Sequence, residues 1–343
     1  MYKIPMSALL NKKEHTNIED FNRDISKYRT AIMGIAMISV MLFHQYFTSV
    51  IPFNLFHNFG SWGVDVFLFL SGMGIVRSLN NNSLKVYYLR RLKRILPSCI
   101  LCGSIKYSIF LLLGSSVAIL KEVLNIGGWS FLSFDLWFIP SIIILYTISP
   151  ILHWLIKYWL NPLVLLTTII FFINGIFISP QIGYEWMSPI GIFAWTTSRL
   201  PVFLLGMYIA NKNYWWNRIL FFSYLFLVIA LCLKILDKSG TSFQGINDCI
   251  LFALMIGMPA LIKLNLKVLR KLSPMLLSLV NFFGKYSLEL YLVHEFIFWT
   301  LKILCKDVCV WILLPVWLGL SCFSAYLCKN IINYSFYLAQ NKK

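Results

Sequence analysis

Apolar residues in this chain gather in runs of about twenty, with neither the strict alternation of a half-buried strand nor the one-sided spacing of a soluble helix. Ten such runs lie at about 31–50, 60–79, 99–120, 135–156, 163–179, 190–210, 216–236, 247–263, 276–300 and 309–330. Each is about long enough to cross a hydrocarbon layer roughly 30 Å thick at about 1.5 Å of rise per residue. The pattern predicts an all-α fold, a polytopic transmembrane helix bundle of about ten spans over residues 29–333. Residues 1–28 are polar and mixed in charge (Lys12, Lys13, Glu14, Glu19, Asp20, Arg23, Asp24) and lack the apolar core of a secretory signal. They are expected to form a cytoplasmic tail, as a short amphipathic helix along the membrane; residues 334–343 form a second. Pro52, Gly60, Pro162 and Pro180 mark the edges of runs. Pro140, Pro150 and Pro201 fall inside them, where they are expected to kink without breaking the bundle.

Composition removes the soluble alternative. Of 343 residues, 59% are hydrophobic, 17% aromatic and only 13% charged, too little polar surface to cover two soluble domains. Charge then orients the chain. With the first span running outward, 22 of the 30 Lys and Arg residues fall in the inner segments and 5 in the outer ones. Flanking cations resist translocation, so both termini are expected in the cytoplasm of a multi-pass protein of the cell membrane. The formal net charge of +17 follows from that orientation and calls for no nucleic-acid partner. The densest cluster is YYLRRLKRILP at 87–97, with Arg90, Arg91, Lys93 and Arg94. Two readings fit it: a stop-transfer signal holding anionic headgroups, and a cytoplasmic site for a polyphosphate-bearing ligand. The eight cysteines read as small apolar residues of buried helices. Cys99 and Cys102 form a CxxC without the context of a redox or zinc motif, and Cys305 and Cys309 are close enough in sequence for a local disulfide.

Ionisable residues inside a bilayer are costly and mark function. His44 lies in the first run, Asp65 and Ser71 in the second, Arg199 in the sixth, and Glu289, His294 and Glu295 in the ninth. By helical rise, His44 is about 21 Å above the inner start of its span and Asp65 about 8 Å below the outer face, so their heights agree. His294 also lies in the outer half and Arg199 near mid-depth. A carboxylate at its own level favours His44 as a general base, the role best suited to a side chain that titrates near neutrality. For Asp65 the competing reading is a helix cap, and for Arg199 it is neutralisation of Asp65. Ser71 and Arg199 are candidates to stabilise an oxyanion, and His294 to hold acceptor or base. Trp137, Trp129 and Trp186 could anchor span ends at the interface or present an aromatic surface to a ligand. Neither GxSxG nor HExxH occurs, and no metal is expected.

GIAMISVMLFH (34–44), GVDVFLFLSGMGI (63–75) and YYLRRLKRILP (87–97) together resemble the acyltransferase-3 family of integral membrane O-acyltransferases. Further segments continue the resemblance over about residues 29–330: DLWFIPSIIILYTISP (135–150), SRLPVFLLGMYIA (198–210) and FGKYSLELYLVH (283–294). The resemblance implies transfer of an acyl group, usually acetyl, from cytoplasmic acyl-CoA to a hydroxyl of a cell-envelope or exported glycan. It maps the catalytic base to His44 and the arginines of an RxxR to Arg91 and Arg94. Where the family carries Arg or Lys eleven residues before the histidine, this chain has Met33. Arg29, one turn earlier and about 6 Å nearer the cytoplasm, lies on a similar helical face; either it substitutes or the donor site is altered. A glycan or lipid transporter, and a sensor or scaffold on the same fold, are the alternatives.

Overall fold

A computed structural model describes residues 6–44, 62–112, 137–173, 189–211, 216–238, 246–305 and 309–341. Among these there is no strand, and the predicted apolar runs are helical apart from single-residue turns and span edges. The helices are α1 (Met6–Phe43), α2 (Trp62–Asn81), α3 (Leu84–Leu112), α4 (Phe138–Tyr158), α5 (Leu160–Ile173), α6 (Pro189–Ser198), α7 (Leu200–Ala210), α8 (Trp216–Lys238), α9 (Ile246–Ile256), α10 (Met258–Leu269), α11 (Pro274–Lys285), α12 (Ser287–Leu304) and α13 (Val310–Asn341). Asn17–Phe43, Trp62–Asn81, Phe138–Tyr158, Trp216–Asp237 and Trp311–Asn341 are each long and apolar enough to cross a membrane.

Three of the predicted spans are helix pairs. The sixth breaks at Arg199 into α6 and α7, the eighth at Gly257 into α9 and α10, and the ninth at Tyr286 into α11 and α12. Pro201 and Pro259 follow the first two breaks. Proline has no N–H for the preceding turn and fits the first turn of a new helix, so each proline starts a segment, and at Pro201 this replaces the expected kink. The α9–α10 pair bends by 61°.

The ends also differ from expectation. Residues 6–28 are the unbroken N-terminal part of α1, and α13 continues through residue 341. Ile18, Phe21 and Ile25 repeat at helical spacing and are buried, with Phe21 stacked on Trp216 at 4.4 Å. That apolar stripe, together with an Arg270–Asp24 ion pair, packs the early turns against α8 and the α10 end.

At the centre, α2 packs antiparallel to α1 and to α7. Gly63 of α2 lies against the Ala36 carbonyl, and Gly72 and Gly206 lie against the backbones of Phe203 and Phe69 respectively. A Cβ at Gly72 or Gly206 would collide with the facing carbonyl, so this close α2–α7 crossing needs glycine at both positions. It leaves α2 buried on nearly every side and sets Asp65 in the interior of the bundle, with Ser71 half-buried on a cleft.

Candidate functional site

Asp65 sits in the first turn of α2 and Arg199 at the break between α6 and α7. Arg199 Nη1 donates to both Asp65 carboxylate oxygens at 2.9 Å, and the side chains are 0% and 4% exposed. Its guanidinium lies 5.2 Å over Trp195, which stacks on Trp137 at 5.0 Å. Both carboxylate oxygens of Asp65 face a cation, so the pair ties the start of α2 to the interrupted sixth span.

His44, directly after α1, faces α12. Its Nδ1 is 2.9 Å from the Val40 carbonyl oxygen and 3.2 Å from His294 Nε2. His294 Nδ1 is 2.9 Å from the Leu290 carbonyl and 3.0 Å from that of Tyr291, and its own carbonyl accepts from Trp317 Nε1 at 2.6 Å. Carbonyl oxygens only accept, so His294 Nδ1 carries the hydrogen. The Nε2 of neutral His294 is then an acceptor, which assigns a hydrogen to His44 Nδ1 and the lone pair of neutral His44 to Nε2. Glu295 Oε2 lies 3.9 Å from that Nε2. The carboxylate beside the first-span histidine is therefore Glu295, whereas Asp65 is engaged by Arg199.

Arg29, Met33, Ser71, Arg91, Arg94, Tyr146, Ser287 and Tyr291 line one cleft. Arg29 Nη2 donates to the Leu70 carbonyl at 3.0 Å and lies across Gly74. Arg29 thus enters the same cleft that Met33 lines one turn further along α1. Arg91 lies 5.0 Å over Tyr146 and 5.5 Å over Tyr87. Its Nε is buried and has no hydrogen-bond partner among the described residues. Arg90 is exposed and lines none of this cleft. The phase of α3 decides between the neighbours: Tyr87 and Tyr88 hydroxyls donate to the Tyr146 and Thr147 carbonyls, turning positions 87, 91 and 94 toward α4. Ser71 Oγ accepts from the Tyr146 hydroxyl at 3.4 Å. At the far end, Tyr291 is shared: it lines the cleft, and its ring lies 6.0 Å from that of His294.

Glu289 forms a separate buried junction, accepting from Ser98 Oγ at 2.8 Å and Lys329 Nζ at 3.4 Å, which ties α12 to α3 and α13. All eight cysteines are free, including Cys305 and Cys309. Trp129 and Trp186 lie outside the described residues. Tyr291 and Tyr146 are the site residues that the sequence pattern did not single out, and Glu295 was singled out only as an intramembrane charge without an assigned partner. Helical spacing links Tyr291 to His294 and Glu295 on α12, but that both His294 and Glu295 reach His44 is decided only by packing.

A family model described as an acyltransferase domain matches residues 31–332, nearly the whole chain. The chain belongs to this acyltransferase-3 family and is a membrane acyltransferase. No curated protein and no solved structure matches it.

Proposed function

We propose that this protein moves an acyl group, acetyl in the simplest case, from acyl-CoA to a hydroxyl of a cell-envelope or exported glycan, with His44 as general base. In this reading the enzyme lies in the cell membrane with its basic end and both termini in the cytoplasm, as the asymmetry of Lys and Arg favours. The phosphates of the donor meet Arg91, Arg94 and Arg29 in the cleft, where the buried Nε–H of Arg91 needs an acceptor. About 22 Å of α1 separates Arg29 from His44, by helical rise. A donor bridging that span needs a long, flexible linker between phosphate and reacting carbonyl, which the pantetheine arm of coenzyme A is.

The observation that carries the proposal is the direction of the histidine chain. With hydrogens on both Nδ1 atoms, the lone pair of His44 lies on Nε2. That nitrogen takes the proton of the acceptor hydroxyl as its oxygen attacks the thioester carbonyl. Glu295, 3.9 Å away, offsets the charge of the imidazolium. Collapse of the tetrahedral intermediate breaks the C–S bond, and the departing thiolate recovers the proton from His44 Nε2. Base assistance of this kind contributes about 10²–10⁴-fold. In this reading Ser71 and the Tyr146 hydroxyl serve as polar contacts for the donor, and Trp137 with Trp195 as an aromatic surface for the sugar.

Membranes carrying the protein, incubated with labelled acetyl-CoA and envelope glycan, are expected to incorporate label into glycan. The His44→Ala protein, inserted to the same level, is expected to incorporate none above background. Full incorporation by that variant would overturn the base assignment.

A further inference from the structure

His44, His294 and Glu295 do more than relay a proton, because their ligand atoms all lie within 4.8 Å of one another. We infer that these three side chains form a binding site for a divalent transition-metal ion of the zinc type, and that occupation of this site switches the enzyme off. The inhibitory half rests on the reading of His44 as base; the binding half does not.

Geometry carries the binding. Two imidazole nitrogens on one tetrahedral ion, each about 2.0 Å from it, stand about 3.3 Å apart. His294 Nε2 and His44 Nδ1 are 3.2 Å apart, so an ion can replace the bridging hydrogen with little movement of either ring. His294 is already oriented as a ligand: its other nitrogen donates to the Leu290 and Tyr291 carbonyls, the arrangement that fixes tautomer and ring plane around bound metals. Glu295, the next position of the same helix, adds a carboxylate oxygen, and one ligand atom from each of the three residues lies within 4.8 Å of the other two. Two imidazoles with one carboxylate suit zinc and its neighbours, whereas magnesium and calcium take oxygen ligands. Side-chain exposures of 17% for His44 and 8% for Glu295 leave one side of the cluster able to admit an ion and its water.

Coordination removes the base whichever His44 nitrogen takes part. An ion on Nε2 occupies the lone pair directly. An ion on Nδ1 displaces the hydrogen to Nε2, which then has no lone pair to receive the proton of the hydroxyl.

Cobalt(II) titrated into the purified, full-length protein reads the site without reference to activity, through the visible absorption of tetrahedral cobalt. The wild type is expected to develop this band, and zinc to abolish it by displacement. Glu295→Gln, close in shape and so the safer variant for folding, and His294→Gln should each weaken cobalt binding at least about tenfold. Absence of the band, or a band unchanged in both variants, overturns the site. Zinc added to the acyl-transfer assay should inhibit the wild type reversibly, with chelator restoring the rate. It should inhibit Glu295→Gln only at a correspondingly higher concentration. A cobalt band on these residues with no inhibition by zinc would keep the site but overturn the switch and, with it, His44 as base.

Discussion

Two groups of ionisable side chains lie inside the same bundle and are built in opposite ways. Asp65 and Arg199 are both buried, two hydrogen bonds of 2.9 Å join them, and each stands at a helix end where the chain direction must be fixed. His44, His294 and Glu295 meet through one 3.2 Å contact and one 3.9 Å approach, and His44 keeps part of its surface exposed. A matched ion pair with no solvent access has its charges fixed in place and holds structure. A histidine pair whose hydrogens all point one way, with its last nitrogen beside a carboxylate, can take up a proton and return it. Burial alone therefore does not identify the chemistry; mismatch and access do.

The largest expected effect separates the two groups on opposite observables. His44→Ala should lower acyl transfer by about 10²–10⁴-fold while leaving the midpoint of thermal unfolding in detergent nearly unchanged. A large drop in that midpoint would assign His44 to the framework as well. Arg199→Met should do the reverse: leaving the Asp65 carboxylate buried without its cation costs about 3–5 kcal/mol, visible as a lower unfolding midpoint and poorer yield. Replacing both partners, Asp65→Leu with Arg199→Met, should recover most of that loss, because no charge then remains to be desolvated. Failure of the double variant to recover would mean that Arg199 has a partner of equal weight elsewhere.

Much of this division was legible in the residues, and the limit of legibility has a physical form. Intramembrane charge singled out His44, Asp65, Arg199 and His294, and neutralisation was already one of the two readings for Arg199. The heights of His44 and Asp65 agree along the membrane normal, but a bundle has azimuth as well as height. Asp65 looks toward α6–α7 and His44 toward α12, so equal depth did not make them partners. Glu295 follows His294 directly, about 100° further around α12, and only the packing of α1 against α12 brings both within reach of His44. Breaks at Arg199 and Gly257 were hidden for a related reason. A run of twenty apolar residues reads as one span, and Pro201 and Pro259 distinguish a kink from a new helix only once neighbouring helices hold the two segments apart.

The cleft lined by Arg29, Arg91 and Arg94 is a further polar region, and it sharpens the comparison because no carboxylate is among its lining residues. Arg91→Ala with Arg94→Ala should raise the KM for acyl-CoA at least about tenfold, charge-assisted hydrogen bonds contributing about 1.5–3 kcal/mol each. The unfolding midpoint should barely move. An unchanged KM would return the cluster to a purely topogenic role.

The smallest effect is the most specific. Arg90 carries the same charge as Arg91, one residue away and, on geometry alone, about 100° around α3. If donor binding depended on the net charge of the basic end, Arg90→Ala and Arg91→Ala would weaken it equally, and added salt would erase both effects. The cleft argues otherwise: Arg91 lies between Tyr87 and Tyr146 with a buried N–H, while Arg90 is exposed. Arg90→Ala is therefore expected to change donor affinity by less than about 1 kcal/mol, as for an exposed, screened charge, and Arg91→Ala by more than that. Arg91→Lys discriminates further, since lysine keeps the charge but not the planar guanidinium that lies over two aromatic rings. Substantial loss in Arg91→Lys alongside near-wild-type Arg90→Ala would make recognition geometric; equal losses in Arg90→Ala and Arg91→Ala would make it a field effect and detach the donor from this cleft.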